Sequence, residues 1–397
     1  TNISLICIII RHKHKGGGNM YKAYKFRLYP NTNQKILINK TFGCVRFVYN
    51  HFLNECRKKG YQKSFDMCKA LKELENEYPF LKEVDSCSLR CSIFNLEDSY
   101  KNFFAKSQYP KFKNRYSKQS YRTTCIRSGY KGKSYSNIEI DLIDKKVKLP
   151  KIGLVNIRGY RNLREIKGKI INATIEKEAT NKYYVSIIIE EEIEREKVIP
   201  NSIVGIDLGV KDLVVTSDGE KFGNKKELLK REKQIKRLQR KLSRQIRNSK
   251  NYLKTKEKIA RVYSKIKNSR KHNIIEIVNK LIREHDIIVS EHLNVKNMSR
   301  NHHLSKSILD ASFNKICEYI KWKTKIQGKY YYQVDAYFPS SKKCSHCDNI
   351  TIKTNNLNVR DWICDKCGCE NDRDINASIN IMFEGLKKYY QNQNNNI

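Results

Sequence analysis

The stretch Ile203-Val204-Gly205-Ile206-Asp207-Leu208-Gly209 decides the fold expected for the C-terminal half of the chain. Its apolar run 203–206 is short, rich in β-branched residues and bounded by polar ones, which is typical of a strand buried in a sheet. The run Ile287-Ile288-Val289 has the same character and leads through Ser290 to Glu291. Asp207 and Glu291 are therefore predicted to project at the edge of a sheet, each at the end of a buried strand.

A third acidic residue, Asp374, lies in Asp372-Arg373-Asp374-Ile375-Asn376-Ala377, where a helical pattern begins. Mg²⁺ takes oxygen ligands, and two such ions roughly 3.5–4 Å apart stabilise both the attacking and the leaving oxygen of a phosphodiester. Asp207, Glu291 and Asp374 are therefore predicted to bind Mg²⁺ in a nuclease site. Taken singly, each acid is more often a cap or a solvated loop residue, and Asp374 is also a candidate N-cap of its helix.

The charge of the chain predicts a nucleic-acid partner. It contains 80 Lys+Arg against 41 Asp+Glu, a formal net charge of +39 over 397 residues, which far exceeds what solubility requires. Phosphate backbones are the natural counter-charge. A membrane surface is the alternative, but the longest apolar run, Ile3 to Ile10, is much shorter than the roughly 20 residues that span a bilayer. No membrane association is expected, and the length predicts about two to three domains.

Four of the 13 cysteines form a pattern typical of a zinc site. They lie in two Cys-x-x-Cys knuckles, Cys344 with Cys347 and Cys364 with Cys367, which are separated by 16 residues. Four thiolates leave no coordination position open, so one structural Zn²⁺ is predicted; four free thiols are the alternative. The other cysteines have no disulfide-like spacing, which favours a reducing cytoplasm.

A polar segment, 190–201, carries mixed charge and Pro200, and is the predicted boundary between two halves. Residues 1–19 are interpreted as a non-native upstream extension, with Met20 as the physiological start. The first half, 20–200, is predicted to contain strands and a helical insertion at about 32–115. Within it, 109–121 mixes basic and aromatic residues that either contact nucleic acid or anchor a loop.

A basic helical hairpin is predicted at about 222–272. Between Lys221 and Lys271 there are 21 Lys or Arg residues and three acids, while apolar residues recur at helical spacing. The apolar faces are expected to pack on a core and the basic faces to meet phosphates. A solvated face with no partner is the alternative interpretation.

Several short motifs occur in combination along the chain: Tyr24-Lys25-Phe26-Arg27-Leu28-Tyr29-Pro30, Phe47-Val48-Tyr49-Asn50, Tyr109-Pro110-Lys111-Phe112-Lys113, Gly205-Ile206-Asp207-Leu208-Gly209, Glu291-His292-Leu293-Asn294-Val295-Lys296-Asn297-Met298, Ser340-Ser341-Lys342 and Asp372-Arg373-Asp374-Ile375-Asn376-Ala377. In this combination the sequence resembles the TnpB (OrfB) family of insertion-sequence proteins, which is related to type V CRISPR effector nucleases. The resemblance extends from Met20 to about Phe383.

The resemblance implies an α+β multidomain fold. It implies an N-terminal β-barrel wedge with a helical recognition insertion, and a C-terminal RNase H-like (RuvC) α/β domain at 201–385 with a zinc-ribbon insertion at about 340–370. A polar tail is expected at 386–397, disordered from Gln391 to Asn396.

The resemblance also implies an activity. Family members are RNA-guided DNA endonucleases of transposable elements that bind a guide RNA from the element end and cut double-stranded DNA beside a short adjacent motif. Asp207, Glu291 and Asp374 match the catalytic triad with two Mg²⁺ ions, Asp372 is the less favoured ligand, and the four cysteines match the zinc site. A bacterial cytoplasm or nucleoid is the implied location.

Two other functions stay open. One is a catalytically silent RNA-guided repressor, and the other is an accessory transposase that joins DNA strands. The sequence departs from the family pattern at His292, at Cys369 and in the stretch 270–275, although all three acids are kept.

Overall fold

A computed structural model of the 397-residue chain describes residues 19–130, 133–159, 166–192, 197–298, 300, 305–355 and 359–394. The chain divides into two compact units, Thr1–Glu194 and Arg195–Ile397. Apart from Asn19, which begins the first strand, the predicted upstream extension lies outside the described residues. No helix in the described ranges is long and apolar enough to cross a membrane.

The N-terminal unit combines helices with a seven-stranded antiparallel sheet of strand order β2-β8-β9-β1-β7-β6-β5, beside a separate hairpin β3-β4. Its elements in chain order are β1 (Asn19–Tyr29), α1 (Thr32–Lys59), α2 (Ser64–Glu77), a 3-10 turn (Pro79–Glu83), α3 (Ser86–Phe104), β2 (Gln119–Thr124), β3 (Arg127–Tyr130), β4 (Lys133–Ser136), β5 (Glu139–Asp141), β6 (Lys146–Leu149), β7 (Gly153–Arg158), β8 (Lys169–Lys177) and β9 (Tyr183–Glu192).

The transition from β1 to α1 follows from local sequence. Pro30 cannot donate a ladder hydrogen bond, and Asn31 then caps the helix through a reciprocal pair of hydrogen bonds with Gln34. Helix α1 buries Val48 and Leu53 in the same core as Phe26 of β1. One helical layer therefore covers the sheet.

The prediction of a β-barrel in this half is confirmed in part, as a curled half-barrel sheet. Among the described strands β2 and β5 are the two edges, so the sheet curls into a half-barrel and does not close. Helices α1 and α3 pack beside β2. Helices therefore cover the sheet at this edge strand.

The C-terminal unit is built on a five-stranded sheet of order β12-β11-β10-β13-β14. Strands β10, β13 and β14 are parallel, whereas β11 and β12 run antiparallel. The elements are β10 (Ile203–Asp207), β11 (Asp212–Thr216), β12 (Lys221–Gly223), α4 (Glu227–Ser243), α5 (Lys250–Glu284), β13 (Ile287–Ser290), α6 (Val295–Met298), α7 (Ser305–Ala311), α8 (Phe313–Ile326), β14 (Tyr330–Gln333), a 3-10 turn (Lys353–Asn355), β15 (Asp361–Ile363), β16 (Glu370–Asp372) and α9 (Arg373–Asn394).

The central strands of this sheet are covered on both faces. On one face Ile288 packs in a core with Ile277 of α5 and Ile316 of α8. On the other face Val289 packs in a second core with Ile381 of α9. Successive side chains of a strand point to opposite faces, so an unbroken β-branched run is what a doubly covered strand requires.

The basic hairpin forms, but its limits differ from those predicted. Helix α5 continues beyond 272 to Glu284, because Ile277 and Leu281 pack on the sheet as the same helix leaves the hairpin. The hairpin has its own core around Ile235 and Val262. Ile246 lies beyond the end of α4 and is 83% exposed, so it is not part of this core.

The predicted disordered tail is also corrected. Helix α9 runs to Asn394, so residues 391–394 are helical, and only 395–397 lie outside the described residues. Tyr389 packs edge-on against Tyr330 of β14, with ring centroids 5.3 Å apart, and this contact holds the last turns of the helix on the sheet.

Candidate active site

Asp207 and Glu291 lie side by side at one edge of the C-terminal sheet. Strands β10 and β13 are parallel and in register, with Ile206 opposite Ser290. Asp207 is the last residue of β10, and Glu291 is the first residue after β13. Their carboxyl groups share a hydrogen bond, so the structure brings together these two predicted site residues.

The surroundings disfavour two negative charges at this position. Burial raises the pKa of Asp207, and the nearby Asp374 raises it further. Burial also raises the pKa of Glu291, and the charge of Asp207 adds to that shift. Two carboxyl groups this close do not both ionise readily unless a cation lies between them. The pair therefore offers the carboxylate oxygens that a divalent cation binds, and a cation between them would stabilise both negative charges.

Helix α9 brings the third acid to the same edge, although not as its cap. Asp372 is the N-cap, since its Oδ1 accepts hydrogen bonds from the backbone N–H groups of Asp374 and Ile375 at 3.0 Å each. The interpretation of Asp374 as a cap was wrong, because the helix begins one residue earlier, at Arg373. Asp374 lies in the first turn, and its charge acts on Asp207.

Two glycines allow α9 to approach the sheet this closely. A Cβ atom at Gly205 of β10 would lie 2.0 Å from the carbonyl oxygen of Ser378. A Cβ atom at Gly385 of α9 would lie 2.2 Å and 2.4 Å from the two methyl groups of Val289. Glycine within a strand pattern often marks such an approach of another backbone. The packing of α9 on the sheet therefore depends on these positions.

Two basic residues that were not predicted complete the surroundings. Arg360, which precedes β15, contacts both carboxylate oxygens of Asp374 through Nη1, at 3.0 and 3.1 Å. Lys221 of β12 forms an ion pair with Asp372 at 2.5 Å. Lys and Arg residues are so frequent in this chain that the sequence had no signal to single out these two.

The four predicted cysteines form one cluster. The Sγ atoms of Cys344 and Cys367 are 3.7 Å apart, those of Cys347 and Cys364 are 3.6 Å apart, and all four lie within 4.8 Å of one another. Zn–S bonds of about 2.3 Å in a tetrahedron require sulfur–sulfur distances of about 3.8 Å. The cluster therefore fits one metal ion.

The local backbone favours the thiolate form at one cysteine of the cluster, Cys364, whereas the pKa values of Cys347 and Cys367 are raised by burial and by hydrogen bonds with the neighbouring thiols. Backbone N–H groups of Cys367 and Lys366 hydrogen-bond to the sulfur of Cys364 and lower its pKa to about 6. A thiolate is the form that binds metal. All cysteines within the described ranges are free thiols, in agreement with the absence of disulfide-like spacing in the sequence.

The basic and aromatic segment 109–121 follows α3 in the chain and is anchored on α1. The Asn50 side chain exchanges two 2.8 Å hydrogen bonds with the backbone of Lys113, whose Nζ lies 3.6 Å from the ring centroid of Tyr49. Arg57 lies over the ring of Phe112 at 4.4 Å. The anchor interpretation therefore holds for the backbone, while Phe112 and Tyr116 expose 46% and 56% of their surface.

Three family models match this chain along most of its length. Residues 20–64 match the model described as "Helix-turn-helix domain", and residues 186–302 match the OrfB_IS605 model described as "Probable transposase". Residues 313–381, which include the cysteine cluster, match the model described as "Cas12f1-like, TNB domain".

Whole-length relatives agree with these matches. The chain is 33% identical over 374 residues to a "Putative RNA-guided DNA endonuclease" of Streptomyces pristinaespiralis, covering 92% of this chain and 89% of that protein. It is 31% identical to "Putative RNA-guided DNA endonuclease InsQ" of Escherichia coli K12, covering 92% of each. The chain belongs to the TnpB (OrfB) family.

A solved structure shares the fold. The protein chain in the cryo-EM structure of a Cas12f1-sgRNA-target DNA complex superposes with a TM-score of 0.51 at 14% identity, covering 92% of this chain and 99% of that one. The α+β fold of the chain therefore resembles that of Cas12f1.

Proposed function

We propose that this protein is an RNA-guided DNA endonuclease of a transposable element, which cuts double-stranded DNA at a site beside a short adjacent motif. The observation that carries the proposal is the meeting of three acids at one sheet edge: Asp207 and Glu291 on in-register parallel strands, and Asp374 on the helix packed across them. Two relatives that match over nearly their whole length are named as putative RNA-guided DNA endonucleases, which supports the same activity.

In this proposal Asp207, Glu291 and Asp374 hold two Mg²⁺ ions. Ions bound there would supply Lewis acidity that activates water and stabilises the leaving oxygen, without a covalent protein intermediate. The backbone N–H of Leu208 hydrogen-bonds to both Asp207 and Glu291 and so fixes their orientation. The order of the five strands, an antiparallel meander extended by two parallel strands, supports an RNase H-like assignment.

The rest of the chain is proposed to bind two nucleic acids. Guide RNA from the element end would read the target by base pairing, while the protein holds backbones by charge and shape. In the hairpin the three acids Glu227, Glu232 and Glu257 are each paired with a nearby Arg or Lys of the same helix. Because 21 Lys or Arg residues lie between Lys221 and Lys271, the hairpin keeps a large excess of positive charge, for which phosphate is the natural counter-charge. One structural Zn²⁺ in the cysteine cluster and a location in the bacterial cytoplasm or nucleoid belong to the same proposal.

Sequencing of the RNA that copurifies with the protein, expressed from its own locus, tests the guide. One dominant RNA with a defined boundary at the element end is expected. A mixture of cellular RNA fragments would contradict guided recognition. Guided DNA binding without cutting would indicate the repressor, and strand-joined products would indicate the transposase.

A further inference from the structure

Two asparagines of helix α9 are almost completely buried. Asn376 and Asn380 expose 2% and 3% of their surface. They are four residues apart, so both side chains leave the same face of the helix. A buried amide is costly unless its polar atoms find partners, so the identity of those partners indicates what this face of the helix is for.

Both amides bind the backbone of the first cysteine knuckle. Asn376 donates through Nδ2 to the carbonyl of Lys343 at 2.7 Å and accepts through Oδ1 from the N–H of Ser345 at 2.8 Å. Asn380 donates through Nδ2 to the carbonyls of Lys343 at 2.6 Å and Ser340 at 2.9 Å. These backbone groups flank the first cysteine of the cluster, so the amides recognise the conformation in which that cysteine joins the other three.

The same ribbon reaches the start of α9 from a second side. Asp374 lies two residues before Asn376, and Arg360 contacts both of its carboxylate oxygens. The N–H of Arg373 donates to the carbonyl of Arg360 at 2.7 Å. The first turn of α9, including its acid, is therefore held between the knuckle and the strand that follows Arg360.

Beyond the two asparagines, α9 packs on the sheet. Ile381 is fully buried in a core with Val289, and Gly385 closes on the same strand. Loss of the two amides would therefore loosen the first turn and the ribbon while the helix stays in place.

We infer that Asn376 and Asn380 are positioning residues that couple zinc loading of the cysteine cluster to the placement of Asp374 at the metal site. The inference rests on the proposed function for the role of Asp374. In the coupled state the zinc-ordered knuckle fixes the amides, the amides fix the first turn, and the first turn presents the carboxylate. Zinc then controls divalent-metal affinity at the sheet edge without being part of it.

The test compares the guide-RNA-bound protein with the double variant Asn376→Ala/Asn380→Ala and with Gln391→Ala, which removes an exposed amide from the same helix. Zinc content is measured by elemental analysis, and Mn²⁺ affinity by electron paramagnetic resonance. Mn²⁺ sites that the native protein has and the Asp374→Ala variant lacks are taken as the sites that depend on Asp374, and only their affinity is compared. Zinc is then removed with a chelator and the Mn²⁺ titration is repeated.

The double variant is expected to keep one zinc and its RNA and to bind Mn²⁺ about ten-fold more weakly, a change on the scale of one buried hydrogen bond. Zinc removal weakens Mn²⁺ binding similarly in the native protein but adds little in the double variant, because coupling between the sites is already lost. Unchanged Mn²⁺ affinity, or an equal effect of zinc removal in both proteins, would overturn the inference. Loss of zinc and RNA together would also overturn it, since the amides would then be general folding residues.

The two proposals fail separately. If Mn²⁺ affinity responds as expected but the native protein cuts no guide-matched DNA, the coupling stands and the nuclease proposal falls. If the native protein cuts and the double variant cuts with the same Mg²⁺ dependence, the nuclease proposal stands and the coupling falls.

Discussion

Replacement of Gly205 by alanine should displace Asp374 although no acidic residue is substituted. The added Cβ would lie 2.0 Å from the Ser378 carbonyl oxygen and 2.6 Å from the backbone nitrogen of Met382. Ordinary contact is about 3.5 Å, so α9 must move by about 1.5 Å, and backbone atoms cannot rotate away. Overpacking of this kind costs about 1–3 kcal/mol of stability. A displacement of about 1 Å in catalytic geometry lowers rates about 100-fold.

The matched control for this prediction is Gly223→Ala in the same sheet, where the added Cβ has no neighbour within 4 Å. Stability is measured by denaturant unfolding, and activity by single-turnover cutting of a guide-matched plasmid in saturating Mg²⁺. The Gly205 variant should bind guide RNA and cut about 100-fold more slowly, and the Gly223 variant should match the native protein. Native stability and cutting in the Gly205 variant would refute the packing of α9 described above.

Three further predictions concern other contacts. Cys364→Ser should lose the single zinc and unfold the ribbon while Cys369→Ser keeps it, because only Cys364 belongs to the four-sulfur cluster; a zinc-free native protein in elemental analysis would contradict this. Gly385→Ala should lower stability, and Val289→Ala should partly restore it by removing the two clashing methyl groups; the absence of any rescue in unfolding curves would argue against that contact. Because burial raises the folded-state pKa of Asp207, its ionisation destabilises the metal-free protein as pH rises from about 4 through about 6. Asp207→Asn should therefore be more stable than the native protein by on the order of 1–2 kcal/mol at pH 8 and equal to it near pH 4, and Mg²⁺ should reverse the order; a pH-independent difference would contradict this.

The sequence predicted those parts of the site that depend on local pattern. Asp207 and Glu291 were placed correctly at strand ends because β-branched runs identify doubly covered strands. The cysteine cluster followed from its spacing. The sequence did not identify the helix cap, because Asp372 and Asp374 are both aspartates near the start of the helix. Only the hydrogen bonds that the Asp372 side chain accepts from the first turn distinguish them.

Other features depend on contacts between distant segments. The pairing of Arg360 with Asp374 requires the ribbon to fold back on α9, and the burial of Asn376 requires the knuckle backbone as its partner. The sequence did not distinguish a half-barrel from a closed barrel, because strand pattern alone does not tell whether a helix or another strand covers the edge at β2. These contacts depend on tertiary packing between segments that are distant in sequence, and the periodicity of apolar residues does not predict them.

The most direct test of the central claim is the cutting of supercoiled plasmid by the purified protein–RNA complex in Mg²⁺. One plasmid matches the guide and the other carries a scrambled target. The account predicts that only the matched plasmid is cut, that EDTA prevents cutting, and that Asp207→Ala, Glu291→Ala and Asp374→Ala each bind the matched target without cutting it. Equal cutting of both plasmids would contradict guided recognition, and retained cutting in any of the three variants would contradict the assignment of the site.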